Sequence, residues 1–347
     1  MTHLSAISTT LPKYHASNKD VLDAAAIWLK DSPTEFELYK RFLSSSKTES
    51  RYFVVPPKEI VALGGSGMRA ELFEREAKLL ATKAVEGAFK ASKVSPSEID
   101  ALIFTSCSCP LIPALDTYLV DTFELPRSLV RIPSYQFGCA GGIIGLGLSN
   151  RFKSTLKNTL LVSAELCSLV FQSTNRTPSN LVGAAIFGDG AAAAILSSDD
   201  AAGFTIIDQQ SYLLPETRHL MGYDIKDSGP HLRLDKELPS ALVKAIPNLV
   251  DQFLSKNQLN RAAVPWWLFH PGGTKILTFL DEILELTPER SHWAGDILHT
   301  VGNLSSATIL FVLEHFVKSK TAQSGDHVLL LGVGPGLTIE LVLGQMS

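Results

Sequence analysis

The sequence predicts an α/β fold in two similar halves, each built on a mostly buried sheet. Short apolar runs of the kind that fill buried strands recur along it, as in Ala101-Leu-Ile-Phe-Thr105, Thr159-Leu-Leu-Val-Ser163 and Ala191-Ala-Ala-Ala-Ile-Leu196. Segments with helical spacing separate these runs, and that alternation marks an α/β architecture. After about Ala201 the order of elements begins again with no Pro- or Ser-rich linker, so halves spanning 1–200 and 201–347 are expected to pack as one unit.

Taken in order, the N-terminal portion to about residue 48 reads as helical, because Val21, Leu22, Ala25, Ile27 and Leu29 recur around charged residues until Ser32-Pro33 breaks the pattern. A long helix is expected over Glu71 to Ala91, with Leu72, Ala77, Leu80, Ala84 and Ala88 as its inward stripe, and Ser95-Pro96 opens a turn before the first buried run. Cys139 to Phe152 reads as helix. In the second half Phe204-Thr-Ile-Ile207 reads as a strand, Ala241 to Leu254 as a helix and Trp266-Trp-Leu-Phe269 as a strand. Helices are expected over Thr274 to Leu286 and Ser305 to Val317, with Val328-Leu-Leu-Leu331 as the closing strand.

Composition narrows the function. A chain of 347 residues, 45% hydrophobic and 19% charged, fits a soluble globular protein with two core-forming halves. Its formal net charge of -4 argues against a nucleic-acid surface, which concentrates Lys and Arg on one face. Met1 to Thr10 lacks the basic start and apolar centre of a signal peptide. The most apolar stretch, Val328 to Val342, is interrupted by Gly332, Gly334, Pro335, Gly336 and Glu340, so no membrane span is expected. Cys107, Cys109, Cys139 and Cys167 are expected to stay reduced in the cytoplasm. The Cys107-Ser-Cys109 pair has neither the usual spacing nor the second pair of a zinc site, so no metal is expected and buried small hydrophobes are the default.

Chemistry concentrates in three places. Cys139 sits in Gln136-Phe-Gly-Cys-Ala-Gly-Gly142 just ahead of an apolar helical run. Free N–H groups and the dipole at a helix N-terminus favour a thiolate, although a tightly packed structural cysteine fits the local pattern equally. His270 ends an apolar run and precedes Pro271-Gly-Gly273, the kind of strand end where loops gather functional groups; alone it also fits an ordinary core or surface histidine. Asn303, in Gly302-Asn-Leu-Ser-Ser306, also fits simple helix capping. Together a cysteine, a histidine and an asparagine can bind a thioester oxygen and stabilise charge on an enolate or tetrahedral intermediate, while a Cys–His pair keeps the thiol deprotonated.

At these residues the sequence resembles the chalcone-synthase-like type III polyketide synthases. The resemblance rests on His270-Pro-Gly-Gly273, Gly302-Asn-Leu-Ser-Ser306, Gly332-Val-Gly-Pro-Gly-Leu-Thr-Ile-Glu340 and Leu181-Val-Gly-Ala-Ala-Ile-Phe-Gly-Asp-Gly190, in order and at fitting separations, and it runs from about Arg51 to the C-terminus. Thr105-Ser-Cys-Ser108, Ser211-Tyr-Leu-Leu-Pro215 and Tyr223-Asp-Ile-Lys-Asp-Ser-Gly229 look most like the bacterial branch that makes phloroglucinol or tetrahydroxynaphthalene. The resemblance implies a thiolase-like fold of duplicated αβαβα layered halves, with the cysteine in the first half and the histidine and asparagine in the second. It implies that Cys139 accepts an acyl starter from coenzyme A and that His270 and Asn303 drive decarboxylation of malonyl-CoA. No cofactor is implied beyond these thioester substrates, and a homodimer is expected.

The same resemblance assigns secondary positions. Phe187 matches one of two aromatic gatekeepers, although core packing explains it as well; Leu232 stands where the second is usually phenylalanine. Cys167 and Val170 occupy cavity positions that are threonines in plant enzymes, Tyr223 replaces a small residue, and Ser305 and Cys107 join the cavity, the latter also readable as an inert thiol. Gly332, Gly334, Pro335 and Gly336 imply a backbone scaffold, and their Gly-x-Gly-x-Gly spacing is not that of a dinucleotide site. The basic cluster at the coenzyme A mouth is thin, with Arg41 fitting and Lys40 and Lys47 nearby, which leaves room for a substrate carried on an acyl carrier protein. Competing readings are a ketosynthase performing one condensation, a Cys-His-Asn hydrolase and a noncatalytic scaffold.

Overall fold

The computed structural model describes residues 1–199 and 203–347, so the expected boundary between residues 200 and 201 lies outside the described residues. The first half runs β1 (Thr2–Thr10), β2 (Tyr14–Ser17), α1 (Asn18–Trp28), α2 (Pro33–Ser46), β3 (Ser50–Phe53), α3 (Pro57–Ile60), α4 (Ser66–Ala91), β4 (Ala101–Thr105), α5 (Asp116–Thr122), β5 (Val130–Ser134), α6 (Gly141–Arg151), β6 (Asn158–Leu166), α7 (Pro178–Ile186) and β7 (Asp189–Ser197). The second runs β8 (Phe204–Leu213), β9 (Met221–Lys226), β10 (Gly229–Leu234), α8 (Leu238–Lys256), β11 (Trp266–Phe269), α9 (Thr274–Leu284), α10 (Pro288–Ser291), α11 (Trp293–Thr300), α12 (Thr308–Ser319), β12 (His327–Gly334) and β13 (Thr338–Met346).

The helical reading of the N-terminus fails before residue 18. Thr2, Leu4 and Ala6 are buried while the residues between them are half-buried, a period of two that makes β1 a strand. Helical spacing starts only at α1, where the Ser17 side chain accepts from the Asp20 N–H and Asp20 reaches back to the Ser17 N–H as a capping box.

Nine strands form one sheet in the order β11-β12-β13-β8-β1-β7-β6-β4-β5. The five strands at one end come from residues before 198 and the four at the other from residues after 203. Each half repeats one pairing pattern. In the first, β4 runs parallel to β6, which is antiparallel to β7, which is antiparallel to β1; in the second, β11, β12, β13 and β8 do the same. Among the described strands of this sheet only β5 lacks a counterpart. The halves meet through a short antiparallel join of β1 with β8 at Thr2–Ile206 and His3–Thr205.

Side chains sort into layers by strand alternation. Leu102, Phe104, Leu160, Val162, Ala193 and Ile195 pack outward against the alanine-rich face of α4, whereas Ile103, Leu161, Ala192 and Ala194 point inward to a second core. In that inner core α6 lies against strands of both halves, and α12 does the same. The helix α8 buries Leu242, Ile246, Val250 and Phe253 among the apolar residues of the second half, and helices α6 and α12 between strands of the two halves fit the layered arrangement of a thiolase-like fold. Among the described residues no helix is long and apolar enough to cross a membrane.

Candidate active site

Cys139 lies in a 3₁₀ turn, Gly138–Ala140, that runs directly into α6. The turn is built by glycines. Gly138 has φ +55°, and a Cβ there would stand 2.6 Å from the Pro335 ring. A Cβ on Gly141 would stand 2.0 Å from Thr105 Oγ1, and one on Gly334 would stand 2.6 Å from that of Ala140. Backbone replaces side chain at each contact, so the end of β4, the turn and the Gly332–Gly336 run that ends β12 and continues past it press together around the cysteine. Pro335 and Gly336 also line the cavity described below.

His270 follows β11 and extends its ladder, donating its N–H to the Leu331 carbonyl at 2.8 Å. The side chain is buried and neither ring nitrogen has a hydrogen-bond partner. Burial pushes its pKa down to about 4, so the imidazole is neutral at pH 7. Asn303 is held by backbone on both sides, its N–H donating to Ile186 O at 2.8 Å and its carbonyl accepting from the Gly188 N–H at 3.0 Å. Its Oδ1 accepts from the Ser305 N–H at 2.8 Å and from Thr308 Oγ1 at 3.3 Å. Both contacts use the oxygen, which leaves the Nδ2 donors for the cavity.

These three side chains, from loops ahead of α6, after β11 and before α12, open onto one cavity of about 960 Å³. Ser305 stands beside them at φ +50°, a conformation that non-glycine residues hold only where neighbours enforce it. Its hydroxyl donates to Cys139 Sγ at 3.4 Å and lies 3.0 Å from Cys107 Sγ.

The thiol departs from expectation. Burial pushes the Cys139 pKa up to about 11, the Ser305 hydroxyl pulling against it and the Glu165 carboxylate adding to it. Burial thus works against ionisation of both Cys139 and His270. Loss of water around the sulfur is the largest cause.

Phe187, Leu232, Cys167 and Tyr223 all line the cavity and also a second, smaller one of about 80 Å³; Val170 faces only the smaller. Cys107 and Ser305 line the larger. Arg41 and Lys47 do not line it. Both are exposed, and α2 turns Phe42, Ser45 and Ser46 toward the cavity instead. The basic groups on the cavity wall are Arg218, Arg233, Lys236 and Lys275, of which Arg233 pairs with Asp224. Sequence reasoning missed these four.

It also missed Glu165, fully buried in β6. Its carboxylate accepts from the Cys107 N–H at 3.0 Å and from the hydroxyls of Ser108 and Ser306, tying the cysteine-bearing loop after β4 to the loop that carries Asn303. Burial raises its pKa against those hydrogen bonds. One signal was available, a carboxylate inside an otherwise apolar strand run. Among the described residues no group of three or more His, Cys, Asp or Glu side chains is arranged to hold a metal ion.

Comparison with known proteins shows the family. The N-terminal domain of the chalcone and stilbene synthases matches residues 39–200 and their C-terminal domain matches residues 206–346. A phloroglucinol synthase of Pseudomonas fluorescens is 30% identical over 100% of both chains. A 1,3,6,8-tetrahydroxynaphthalene synthase of Streptomyces peucetius is 31% identical, covering 99% of this chain and 92% of its own length. The crystal structure of the corresponding synthase from Streptomyces coelicolor, a bacterial type III polyketide synthase, superimposes with a TM-score of 0.92 at 27% identity over 99% of each chain. With both halves of the chain matched, the protein belongs to the chalcone and stilbene synthase family and is a type III polyketide synthase, an acyltransferase of the thiolase-like fold.

Proposed function

We propose that Cys139 carries the growing acyl chain of a decarboxylative Claisen condensation in which His270 and Asn303 hold the malonyl thioester oxygen. His270 takes the thiol proton, Cys139 Sγ attacks the starter thioester, and the departing coenzyme A thiolate recovers that proton. Malonyl-CoA then places its thioester oxygen between the imidazole N–H and the Asn303 amide. Loss of carbon dioxide leaves an enolate whose negative oxygen these two donors stabilise. The enolate carbon attacks the acyl carbon on Cys139, the carbon–sulfur bond breaks and the thiolate is regenerated. A neutral imidazole suits this role, because it donates one hydrogen bond without placing a fixed charge in a buried site.

The observation that carries the reading is the convergence of the three side chains on one large cavity. Exposed Lys236, Lys275 and Arg218 on its wall suit the phosphates of coenzyme A. They suit equally the phosphopantetheine of a carrier protein, and Leu232 in place of an aromatic gatekeeper favours that second reading, a single condensation of carrier-bound chains. A homodimer is the proposed assembly, supported by Ile112, a large apolar side chain left 98% exposed.

The test is incubation of the enzyme with an acyl-CoA starter and malonyl-CoA, following carbon dioxide and products. Multiply extended pyrones or aromatics are expected. His270→Ala and Asn303→Ala should each slow carbon dioxide release by about 10²- to 10³-fold, the cost of removing one oxyanion donor. Thioester consumption without carbon dioxide would contradict the proposal.

A further inference from the structure

We infer that His231 is a positioning residue that fastens the β9–β10 hairpin to the wall of the catalytic cavity, and that it does so only as a neutral imidazole. The inference rests on that cavity being where condensation takes place, because the hairpin supplies Tyr223 and Leu232 to its lining. Among the described residues β9 and β10 pair only with each other. Two strands alone are marginal in water, so side chains must hold the hairpin in place. At its base the Ser179 hydroxyl of α7 donates to Leu234 O and accepts from the Leu234 N–H, both at 3.2 Å. Toward its tip Ser66 Oγ donates to Ser228 O at 3.4 Å. His231, buried on a hairpin that is mostly half-buried or exposed, meets the loop ahead of α7.

The hydrogen bonds fix which ring nitrogen carries the proton. Asn175 Oδ1 accepts from the Thr177 N–H at 3.0 Å, so its Nδ2 is the group turned to His231 Nδ1, 3.1 Å away. An amide nitrogen only donates, so Nδ1 accepts. The ring proton therefore sits on Nε2, which donates to Ser228 Oγ at 2.7 Å. A second ring proton would stand on Nδ1 against the amide hydrogens and break the link to Asn175. Burial is the largest influence on the ring and holds its pKa below the ordinary value; Lys226 acts the same way, and Asp224, opposite on β9, acts against them. Other charges nearby are engaged or exposed. Arg233 pairs with Asp224, Arg176 donates to Ser32 and to Trp28 O, and Arg69 of α4 donates to four backbone carbonyls. Asp227 in the turn is exposed, and α7 has no charged side chain. An open hairpin takes up the proton near the ordinary histidine value of about 6.5 and the closed one only at lower pH, so falling pH favours opening.

Amide hydrogen exchange of the whole protein, read by mass spectrometry at pH 7.5 and 5.0 and corrected for the intrinsic rate, tests this without substrate. It therefore decides the hairpin's attachment whether or not Cys139 is the acyl acceptor. Exchange over Met221–Leu234 should rise about tenfold at pH 5.0 relative to β6, the change expected for one pKa unit of difference between open and closed hairpin. His231→Asn sets an amide oxygen near the Nδ1 position, an acceptor that does not titrate, and should abolish the rise. Asn175→Asp turns a carboxylate to the ring, which then keeps its partner with or without the second proton, and should abolish the rise by an independent route. His231→Ala breaks the link at every pH. At pH 7.5 its hairpin should exchange as the native one does at pH 5.0, with a loss of fully extended product that His231→Asn restores. The inference is overturned if native exchange does not change with pH, or if the His231→Ala hairpin exchanges as the native one does at pH 7.5. It is overturned equally if both His231→Asn and Asn175→Asp loosen in acid like the native chain, which would place the titrating group elsewhere, as at Asp189, whose pKa burial pushes up to about 6.

Discussion

At the scale of single residues, the site is defined by neutrality. Burial holds the Cys139 thiol up at about 11 and the His270 imidazole down at about 4, so neither is charged at pH 7 before substrate arrives. Alkylation follows the thiolate fraction, so iodoacetamide labelling of Cys139 should accelerate tenfold per pH unit through neutrality and level off only near pH 11. A plateau already present at pH 7 would show a resting thiolate–imidazolium pair and refute this picture. The raised thiol also bears on stability. Its contribution is complete below the unfolded value near 9 and is lost as pH rises toward about 11, because the folded state then holds a proton that the unfolded chain has released. Cys139, His270 and Asn303, which the fold brings to one cavity, stand out in the sequence because each sits in a distinctive run of small residues. Their ionisation was not legible, since it depends on how much protein covers them. Arg41 and Lys47 lie off the cavity wall for a related reason. Charge is visible in the sequence, but which face of α2 meets the cavity is set by packing, and Phe42, Ser45 and Ser46 share that face at helical spacing.

At the scale of elements, the cysteine turn is an assembly of backbones. Gly138 adopts a left-handed conformation and faces the Pro335 ring, so two penalties meet at one position. Gly138→Ala should cost about 1–3 kcal/mol from backbone strain alone, with more from the clash. The measurement is thermal unfolding beside acyl loading. A clear fall in melting temperature with loss of loading is expected, and an unchanged midpoint with normal loading would show that the glycine is incidental. Elements with strong apolar runs, such as β4, β6, β7 and β11, were legible, and the long helix α4 was expected with only its first turn missed. The hairpin of β9 and β10 was not. Its residues from Tyr223 to Gly229 are mostly half-buried or exposed, so no apolar alternation announces it, yet it supplies Tyr223 and Leu232 to the cavity wall. The strand β1 was hidden because its buried positions hold a threonine, a leucine and an alanine rather than a run of large apolar residues.

At the scale of the molecule, the repeated strand order places the ends of β4 and β11 in equivalent positions, and the proposed catalytic groups divide between the two repeats. Cys139 belongs to the first, His270 and Asn303 to the second, and the paired central helices α6 and α12 bring the loops that bear the cysteine and the asparagine to one cavity. Neither half supplies all three residues alone. The central claim is that one sulfur takes the acyl group and everything else serves it. Intact-protein mass spectrometry after exposure to acyl-CoA, comparing the native chain with Cys139→Ala, tests it most directly. One acyl group should add to the native chain and map to Cys139, with none on the variant; an equal adduct on Cys139→Ala, or one mapping to Cys107 in the native chain, would contradict the account.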